Sequence, residues 1–313
     1  MAIKIPTVAL KGSGDQIPVI GFGSGTKWRI AKAEGEKKDL FIQELADQVS
    51  NAIKAGFNHI DAAEAYKTHP EVGAGIANSG VPREKLWVTD KYTPWSWTWR
   101  KGKGPLESLE LSLEKMQMQY VDLYLVHVPF INPETAGIDL KEAWRQMEEI
   151  YDRGWARNIG VSNFDVESLE YIRKIGRYQP AVNQIEFSAY MQQQSPGIIS
   201  YCKKHGIVIE GYSPLVPLTK GRPGPLDDIL PLIAKKYGKS ELQVLLRWVV
   251  QNGVVVVTTS AQRKRLDESL NIFDFELSSE DFASITEVGK TKIFRNFMTD
   301  LYGKYDSTLY NDL

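Results

Sequence analysis

Short apolar runs alternate with longer stretches of helical periodicity eight times along this chain. The runs are rich in Val, Ile and Leu and most lack a polar face, which is typical of strands that a parallel sheet buries on both sides. We predict eight strands, at residues 17–23, 59–63, 86–92, 121–129, 156–164, 181–188, 207–215 and 254–259. Eight β/α units in about 300 residues predict an α/β fold, specifically a (β/α)8 TIM barrel.

The segments between the runs repeat apolar residues with the 3.6-residue period of an amphipathic helix. One stripe comprises Phe41, Leu45, Val49 and Ile53, and Gly56 is placed to end that helix. Two similar stripes are Leu109, Leu113 and Met116, and Leu140, Trp144, Met147 and Tyr151. Ahead of the first barrel strand, a strand at 7–10 and a Gly-Ser-Gly-Asp turn predict a β-hairpin that plugs the bottom of the barrel. We expect residues 1–313 to form a single barrel domain.

Composition and charge narrow the possible functions. With 42% hydrophobic and 25% charged residues, the chain has ordinary globular composition. A net charge of −1 gives no general attraction for nucleic acid or an anionic membrane, and no stretch is apolar enough to span a bilayer. We expect neither partner, and a monomer is the default state. Cys202 is the only cysteine, so an intrachain disulfide is excluded and a reduced, cytoplasmic setting is expected.

Four chemically useful side chains fall at the ends of three neighbouring predicted strands. Asp61 and Tyr66 lie at the end of the second strand, Lys91 ends the third, and His127 ends the fourth. The carboxyl ends of barrel strands face a common centre, where barrel enzymes keep their active sites. We therefore expect these four side chains to converge.

Such a set suits the reduction of a carbonyl group. Tyr66 alone is a poor acid, but an ammonium group close by stabilises tyrosinate and lowers the pKa of the phenol. Lys91 must stay charged inside the barrel, and Asp61 can be its carboxylate partner. A neutral His127 can orient the carbonyl oxygen beside the phenol. Because no side chain delivers hydride, the reaction requires a nicotinamide cofactor.

Each of the four residues also has a structural interpretation. An aspartate in an apolar strand and a lone buried histidine are usually structural, a lysine at a strand end is usually solvated, and a tyrosine mostly packs. Only their joint placement at adjacent strand ends raises catalysis above these alternatives. The other histidines, His59, His69 and His205, form no pair with metal-ligand spacing, so we predict no metal site.

Several sequence blocks, in this order, resemble the aldo-keto reductase superfamily over nearly the whole chain. They include residues 56–63 (GFNHIDAA), 159–164 (IGVSNF), 181–186 (AVNQIE) and 211–215 (GYSPL). The resemblance implies that Asp61, Tyr66, Lys91 and His127 are the family's catalytic tetrad, with Tyr66 as the proton donor.

The same resemblance implies a set of cofactor and substrate contacts. Tyr212 would stack on the nicotinamide ring, while Ser162, Asn163 and Gln184 would hydrogen-bond its carboxamide. Further residues on the cofactor side are Thr26, Lys27, Ser213, Leu215, Thr258, Thr259, Ser260, Arg265 and Ser269. On the substrate side they are Trp28, Tyr66, His127 and Val128.

Within the superfamily, the chain is most similar to yeast ketoreductases of the α-keto amide and conjugated polyketone reductase type. Residues 25–28 (GTKW), 90–92 (DKY), 258–260 (TTS) and 301–305 (LYGKY) carry this resemblance. It implies activity on vicinal dicarbonyls such as ketopantoyl lactone, isatins, or α-keto esters and amides.

Three positions depart from the pattern of relatives. Thr259 stands where relatives often have a lysine for the 2′-phosphate of NADPH, and Ser269 stands where many have an asparagine for the adenine. Arg265 matches the usual arginine, and a guanidinium fork suits a phosphate dianion, so we favour NADPH over NADH. Val128 replaces a frequent tryptophan, which should leave room for a substrate ring.

Other functions remain open at this point. They are a general aldehyde or aldose reductase, a Schiff-base lyase with Lys91 as nucleophile, and a slow-turnover NADPH-binding regulatory protein. The glycines at 21, 23 and 25 are a weak dinucleotide-fold signal because no helix follows promptly. Trp95, Trp97 and Trp99 lie among basic residues, but a substrate loop or packing is favoured over nucleic-acid stacking.

Overall fold

The computed structural model of this protein describes residues 4–25, 28–34, 40–94 and 104–310. Eight parallel strands close into a barrel in sequence order, with the last strand pairing with the first, so the predicted fold is confirmed. The barrel strands are β3 Ile20–Gly23, β4 His59–Asp61, β5 Trp87–Tyr92, β6 Leu123–Val126, β7 Ile159–Ser162, β8 Val182–Glu186, β9 Val208–Tyr212 and β10 Val255–Thr258.

Helices surround the barrel and connect its strands. They are α1 Trp28–Glu34, α2 Gln43–Ala55, α3 His69–Ser79, α4 Pro105–Met116, α5 Pro133–Ala136, α6 Leu140–Asp152, α7 Val166–Ile175, α8 Ile198–His205, α9 Leu230–Tyr237, α10 Glu241–Gln251, α11 Arg263–Leu270, α12 Ser279–Lys290 and α13 Thr299–Tyr302. Short 3-10 helices lie at Glu64–Tyr66, Arg83–Lys85, Val216–Leu218, Pro225–Asp227 and Gly303–Tyr305. On α2 the predicted stripe is buried from Leu45 to Ile53, and Gly56 ends the helix with φ 123°. Phe41 lies ahead of α2 and is exposed.

The N-terminal hairpin is present and closes the bottom of the barrel. Strand β1 (Thr7–Ala9) pairs antiparallel with β2 (Gln16–Pro18), and Leu10 and Ile17 pack against side chains inside the barrel. The predicted first strand at 17–23 is therefore wrong at its start, because β2 belongs to the hairpin and only β3 enters the barrel. Pro18 has no backbone N–H to donate to a neighbouring strand within the barrel sheet. The N–H of Val19 donates to the Pro6 carbonyl, just ahead of β1, and so also belongs to the hairpin.

Strand alternation separates two buried environments. Ile60 belongs to the apolar core that also includes the helices, whereas its neighbours His59 and Asp61 make polar contacts inside the barrel. Thr89 and Lys91 on the adjacent β5 face the same interior. Successive residues of a strand point to opposite faces, so this parity carries polar side chains into the barrel centre.

Candidate active site

A buried ion pair lies at the centre of the site. Lys91 is fully buried on β5, and its Nζ donates to Asp61 Oδ1 at 2.6 Å and to the Ala62 carbonyl at 2.8 Å. Burial works to lower the pKa of Lys91, but Asp61 and Tyr66 more than offset it, so the pKa lies above its ordinary value. The predicted pairing of Lys91 with Asp61 is present, and Lys91 is a cation.

Tyr66 lies on the short 3-10 helix after β4, with its ring beside the ammonium. Lys91 Nζ is 5.2 Å from the centre of that ring. Burial raises the pKa of Tyr66, and Lys91 lowers it only in part. The prediction that Lys91 lowers the pKa is therefore right for that one effect and wrong for the sum, because the phenol is desolvated as well. Tyr66 keeps its proton at neutral pH, as a proton donor requires.

Gly25 makes room for Tyr66. A Cβ at this position would lie 2.5 Å from two atoms of the Tyr66 ring. Any larger residue would displace the phenol, so the first loop above the barrel is fitted to it.

His127 follows β6 and packs edge-on against Tyr66, with ring centroids 6.0 Å apart and planes at 82°. Burial lowers the pKa of His127 well below its usual value, and Lys91 and Arg29 add to this effect, so the ring is neutral as expected. Its Nδ1 lies 3.0 Å from Oγ1 of Thr93, which is also buried. Sequence reasoning missed Thr93, since nothing in its local sequence distinguishes it.

A second set of polar side chains extends deeper into the barrel. Gln184 Nε2 donates to Asp61 Oδ1 at 2.9 Å and to Glu210 Oε2 at 2.8 Å. Burial and then the charge of Asp61 raise the pKa of Glu210 to about 8. Glu210 Oε1 lies 3.4 Å from His59 Nε2, and burial lowers the pKa of His59 to about 3. The contact therefore joins two neutral groups at neutral pH and is not an ion pair.

Glu210 was overlooked in the sequence although a signal was present. A glutamate inside the apolar run of β9 is as conspicuous as Asp61 inside β4. The register pairs Glu210 with Gln184 across β8 and β9.

Most residues predicted for the nicotinamide end are brought together above this network. Asn163 has a positive φ of 59°, and its Oδ1 accepts from Tyr212 Oη at 2.8 Å. Its Nδ2 donates to the His127 carbonyl at 2.9 Å, and Ser162 Oγ donates to the Gln184 carbonyl at 2.8 Å. Both amide hydrogens of Gln184 are engaged below, which leaves its Oε1 as the acceptor for a ligand.

The C-terminal segment lies against these residues. Glu186 accepts backbone N–H groups of Asn296 at 2.7 Å and of Phe297 at 3.0 Å. Phe297 packs edge-on against Tyr212, 5.8 Å between centroids, and the Tyr302 hydroxyl donates to the Asn163 carbonyl. The same segment reaches Ser213, whose Oγ accepts from Asn296, while Leu215 begins the next turn and is partly buried.

The residues predicted for the phosphate and adenine lie at the end of β10 and on α11. Thr258 is buried and Thr259 is exposed. Ser260 Oγ accepts from the N–H of Gln262 at 3.0 Å, and Ser269 Oγ donates to the Arg265 carbonyl at 2.8 Å. Arg265 is exposed, and its guanidinium makes no hydrogen bond or ion pair within the described residues.

The remaining predicted residues either lie outside the described part of the chain or are buried. Thr26 and Lys27, and Trp95, Trp97 and Trp99, lie outside the described residues. Trp28 is buried and donates its indole N–H to Gln48 on α2 at 3.1 Å, and Val128 is buried just beyond His127.

Within the described ranges, no group of three or more His, Cys, Asp or Glu residues could hold a metal ion. No described helix is long and apolar enough to cross a membrane.

Comparisons with known proteins identify the family of this chain. The sequence model described as Aldo/keto reductase family matches residues 20–290. The chain belongs to the aldo/keto reductase family. It is therefore an oxidoreductase of the aldo/keto reductase type.

Several relatives within this family are similar over most of their length. The chain is 43% identical to the NADPH-dependent alpha-keto amide reductase of Saccharomyces cerevisiae, covering 94% of this chain and 95% of that protein. It is 41% identical to the glyoxal reductase of Bacillus subtilis, covering 79% and 84%. A crystal structure of a Bombyx mori aldo-keto reductase in complex with NADP matches with a TM-score of 0.80 and 30% identity, covering 96% and 98%.

Proposed function

We propose that this protein is an NADPH-dependent carbonyl reductase that reduces a ketone of a vicinal dicarbonyl, with Tyr66 as the proton donor. The substrate class comprises keto lactones, α-keto esters and amides, and isatin-like compounds. One observation carries the catalytic part of the proposal. The protonated Tyr66 packs against a lysine that Asp61 holds in its charged form.

Each of the four residues has a distinct task. Tyr66 gives its phenolic proton to the substrate oxygen as negative charge develops there. Lys91 stabilises the tyrosinate that remains, and Asp61 holds the ammonium in position. His127 orients the carbonyl oxygen beside Tyr66 from the other side. Bound NADPH supplies the hydride that no side chain can provide.

The residues present fit this cofactor. Gln184 offers its Oε1 because both of its amide hydrogens bond to Asp61 and Glu210. Tyr212 has its hydroxyl fixed on Asn163, which suits a ring that stacks on nicotinamide. The exposed Arg265 is available for the 2′-phosphate, which favours NADPH over NADH.

The substrate class rests on the relatives and on one pocket residue. The names of the yeast and Bacillus relatives both refer to molecules with two adjacent carbonyl carbons. Val128 stands beside His127 at a position where the family resemblance implies a frequent tryptophan, and the smaller side chain would leave more room for a ring. A fission yeast relative, 35% identical over 91% of this chain, is described as an indole-3-acetaldehyde reductase. A general aldehyde reductase is therefore the alternative to test.

Two further alternatives are less consistent with the site. A Schiff-base lyase needs a neutral lysine, whereas Lys91 is charged and donates to two oxygens. A slow-turnover regulatory protein has no need for a buried Lys91–Asp61 pair beside a phenol. Residues 1–313 acting as one domain, a monomeric state and a cytoplasmic location stay predictions from the sequence.

The test follows the near-ultraviolet absorbance of the reduced nicotinamide with NADPH or NADH. The panel holds diacetyl, isatin, a keto lactone and simple aldehydes. We expect rapid loss with NADPH and the dicarbonyls, and a fall of at least about 10²-fold in kcat for Tyr66→Phe, since proton transfer is lost. NADPH binding should persist in this variant.

Tyr92→Phe is the matched control, because the Tyr92 hydroxyl is buried and has no hydrogen-bond partner among the described residues. We expect this variant to turn over normally. Near-normal turnover of Tyr66→Phe would remove Tyr66 from the acid role. Reduction of simple aldehydes alone would discard the dicarbonyl class, and NADPH binding without any reduction would favour the regulatory alternative.

A further inference from the structure

Oγ1 of Thr93 lies 3.0 Å from Nδ1 of His127, and the chemistry of this partner bears on which ring nitrogen carries the proton. A neutral imidazole carries one N–H, and the partner of one ring nitrogen decides which nitrogen keeps the proton. A carboxylate or carbonyl at Nδ1 would force the proton onto Nδ1. A hydroxyl can donate instead, which leaves Nδ1 as an acceptor.

The surroundings of Thr93 decide between these two arrangements. Thr93 is buried, and its hydroxyl has no other hydrogen-bond partner among the described residues. If Nδ1 carried the proton, the hydroxyl hydrogen of Thr93 would be buried without an acceptor there. If the hydroxyl donates to Nδ1, its hydrogen is satisfied. The first arrangement costs more free energy, because it leaves a buried donor without an acceptor.

Both partners are held in place by their backbones. The Thr93 N–H donates to Glu64 Oε2 at 3.1 Å, on the 3-10 helix that also carries Tyr66. The N–H of His127 donates to the Tyr92 carbonyl at 3.0 Å, and its own carbonyl accepts from Asn163 Nδ2 at 2.9 Å. The 3.0 Å contact between the Thr93 and His127 side chains is therefore set by the fold.

We propose that Thr93 is a positioning residue for carbonyl reduction: its hydroxyl donates to His127 Nδ1 and holds the imidazole as the Nε2–H tautomer. In this form His127 presents a donor to the substrate oxygen, where the other tautomer would present a lone pair. The functional part rests on the proposed carbonyl reductase activity, whereas the tautomer itself does not.

The tautomer can be measured without turnover. The two nitrogens of a neutral imidazole differ widely in nitrogen-15 chemical shift according to which one is protonated. The chain has four histidines, so full-length protein labelled with nitrogen-15 histidine gives few signals, and His127→Gln identifies those of His127. We expect His127 to be the Nε2–H tautomer, both without cofactor and with NADPH bound.

Two substitutions at position 93 separate the hydroxyl from the shape of the side chain. Thr93→Val keeps the volume and the backbone bond to Glu64 but removes the hydroxyl, and Thr93→Ser keeps the hydroxyl. We expect Thr93→Val to shift His127 toward the Nδ1–H tautomer and to lower kcat/KM for diacetyl about tenfold, the factor of one ordinary hydrogen bond. Thr93→Ser should retain the wild-type tautomer and rate, and NADPH affinity should not change in either variant.

Thr89→Val is the matched spectroscopic control. Thr89 is a buried threonine on β5, the strand that Thr93 follows, and its Oγ1 lies 3.1 Å from Nε2 of another histidine, His59. This variant should change the signals of His59 and leave those of His127 alone. A His127 already in the Nδ1–H form, or a Thr93→Val variant with unchanged tautomer and rate, overturns the proposal. Absence of carbonyl reduction in wild type would instead refute the proposed function, and the tautomer signals would still decide the role of Thr93.

Discussion

The two ends of the proposed cofactor site differ in how much of their geometry exists before a ligand arrives. At the barrel centre, Lys91, Asp61, Gln184 and Glu210 are buried and hydrogen-bonded to one another. On α11, Arg265 is exposed without an ionic partner in the described chain. The centre lies on strands and is preorganised for chemistry. The α11 end instead presents a charged side chain on a helix surface, and this side chain takes up its binding position only with the cofactor.

The largest effect should follow from breaking the central ion pair. Lys91→Met removes the ammonium that stabilises tyrosinate, so we expect kcat to fall by about 10²-fold or more. It also leaves Asp61 buried without its cation, which should cost about 3–5 kcal/mol in the free energy of unfolding. Urea denaturation and the nicotinamide absorbance assay measure the two effects separately.

The double variant Asp61→Asn/Lys91→Met is the control for this prediction. Removing the uncompensated carboxylate should restore part of the stability lost in Lys91→Met while leaving the enzyme inactive. If Lys91→Met is as stable as wild type, the ion pair is not the preorganising element that the barrel centre suggests.

Much of the barrel centre follows from sequence because it depends on strand ends. The polar residues Asp61, Lys91 and His127 stand out after apolar runs, and a closed barrel brings such positions together. Contacts that depend on three-dimensional distance do not follow. Thr93 becomes relevant only when its hydroxyl is seen 3.0 Å from His127, and Glu210 only when the register sets it opposite Gln184.

The sign of the Tyr66 pKa shift was also beyond the sequence. The effect of Lys91 could be predicted from proximity, but the larger effect is burial of the phenol. The degree of burial depends on how the loops close over the ring, including the glycine at position 25 that packs directly on it.

The next effect should appear in the pH dependence of stability. Burial raises the pKa of Glu210 to about 8, whereas an unfolded glutamate ionises near its ordinary value of 4.5. Between these values the unfolded state binds fewer protons than the folded state, so the folded state loses stability as pH rises. The slope from this one group is at most about 1.4 kcal/mol per pH unit.

Glu210→Gln removes this titration while keeping an acceptor for Gln184. As pH rises from 5 to 8, wild type should lose stability relative to Glu210→Gln in urea unfolding. Titrations of other groups occur in both proteins and cancel in the difference. A constant difference across this range would show that Glu210 is already ionised in the folded enzyme, and the barrel centre would then hold two buried carboxylates.

The smallest effect should come from the exposed end. Arg265→Gln removes the guanidinium proposed to bind the 2′-phosphate, so NADPH affinity should fall about 10- to 100-fold, the value of one charge-assisted hydrogen-bonding contact. NADH lacks that phosphate, so its affinity should stay the same.

Arg263→Gln is the control on the same helix, because Arg263 is already paired with Asp267 at 2.8 Å. Fluorescence titration of wild type and both variants with each cofactor measures these six affinities. Equal losses for the two cofactors would place Arg265 away from the 2′-phosphate, and an equal loss in Arg263→Gln would mean that α11 attracts phosphate by its overall charge. Only a selective loss in Arg265→Gln shows that this exposed end also contains a defined contact.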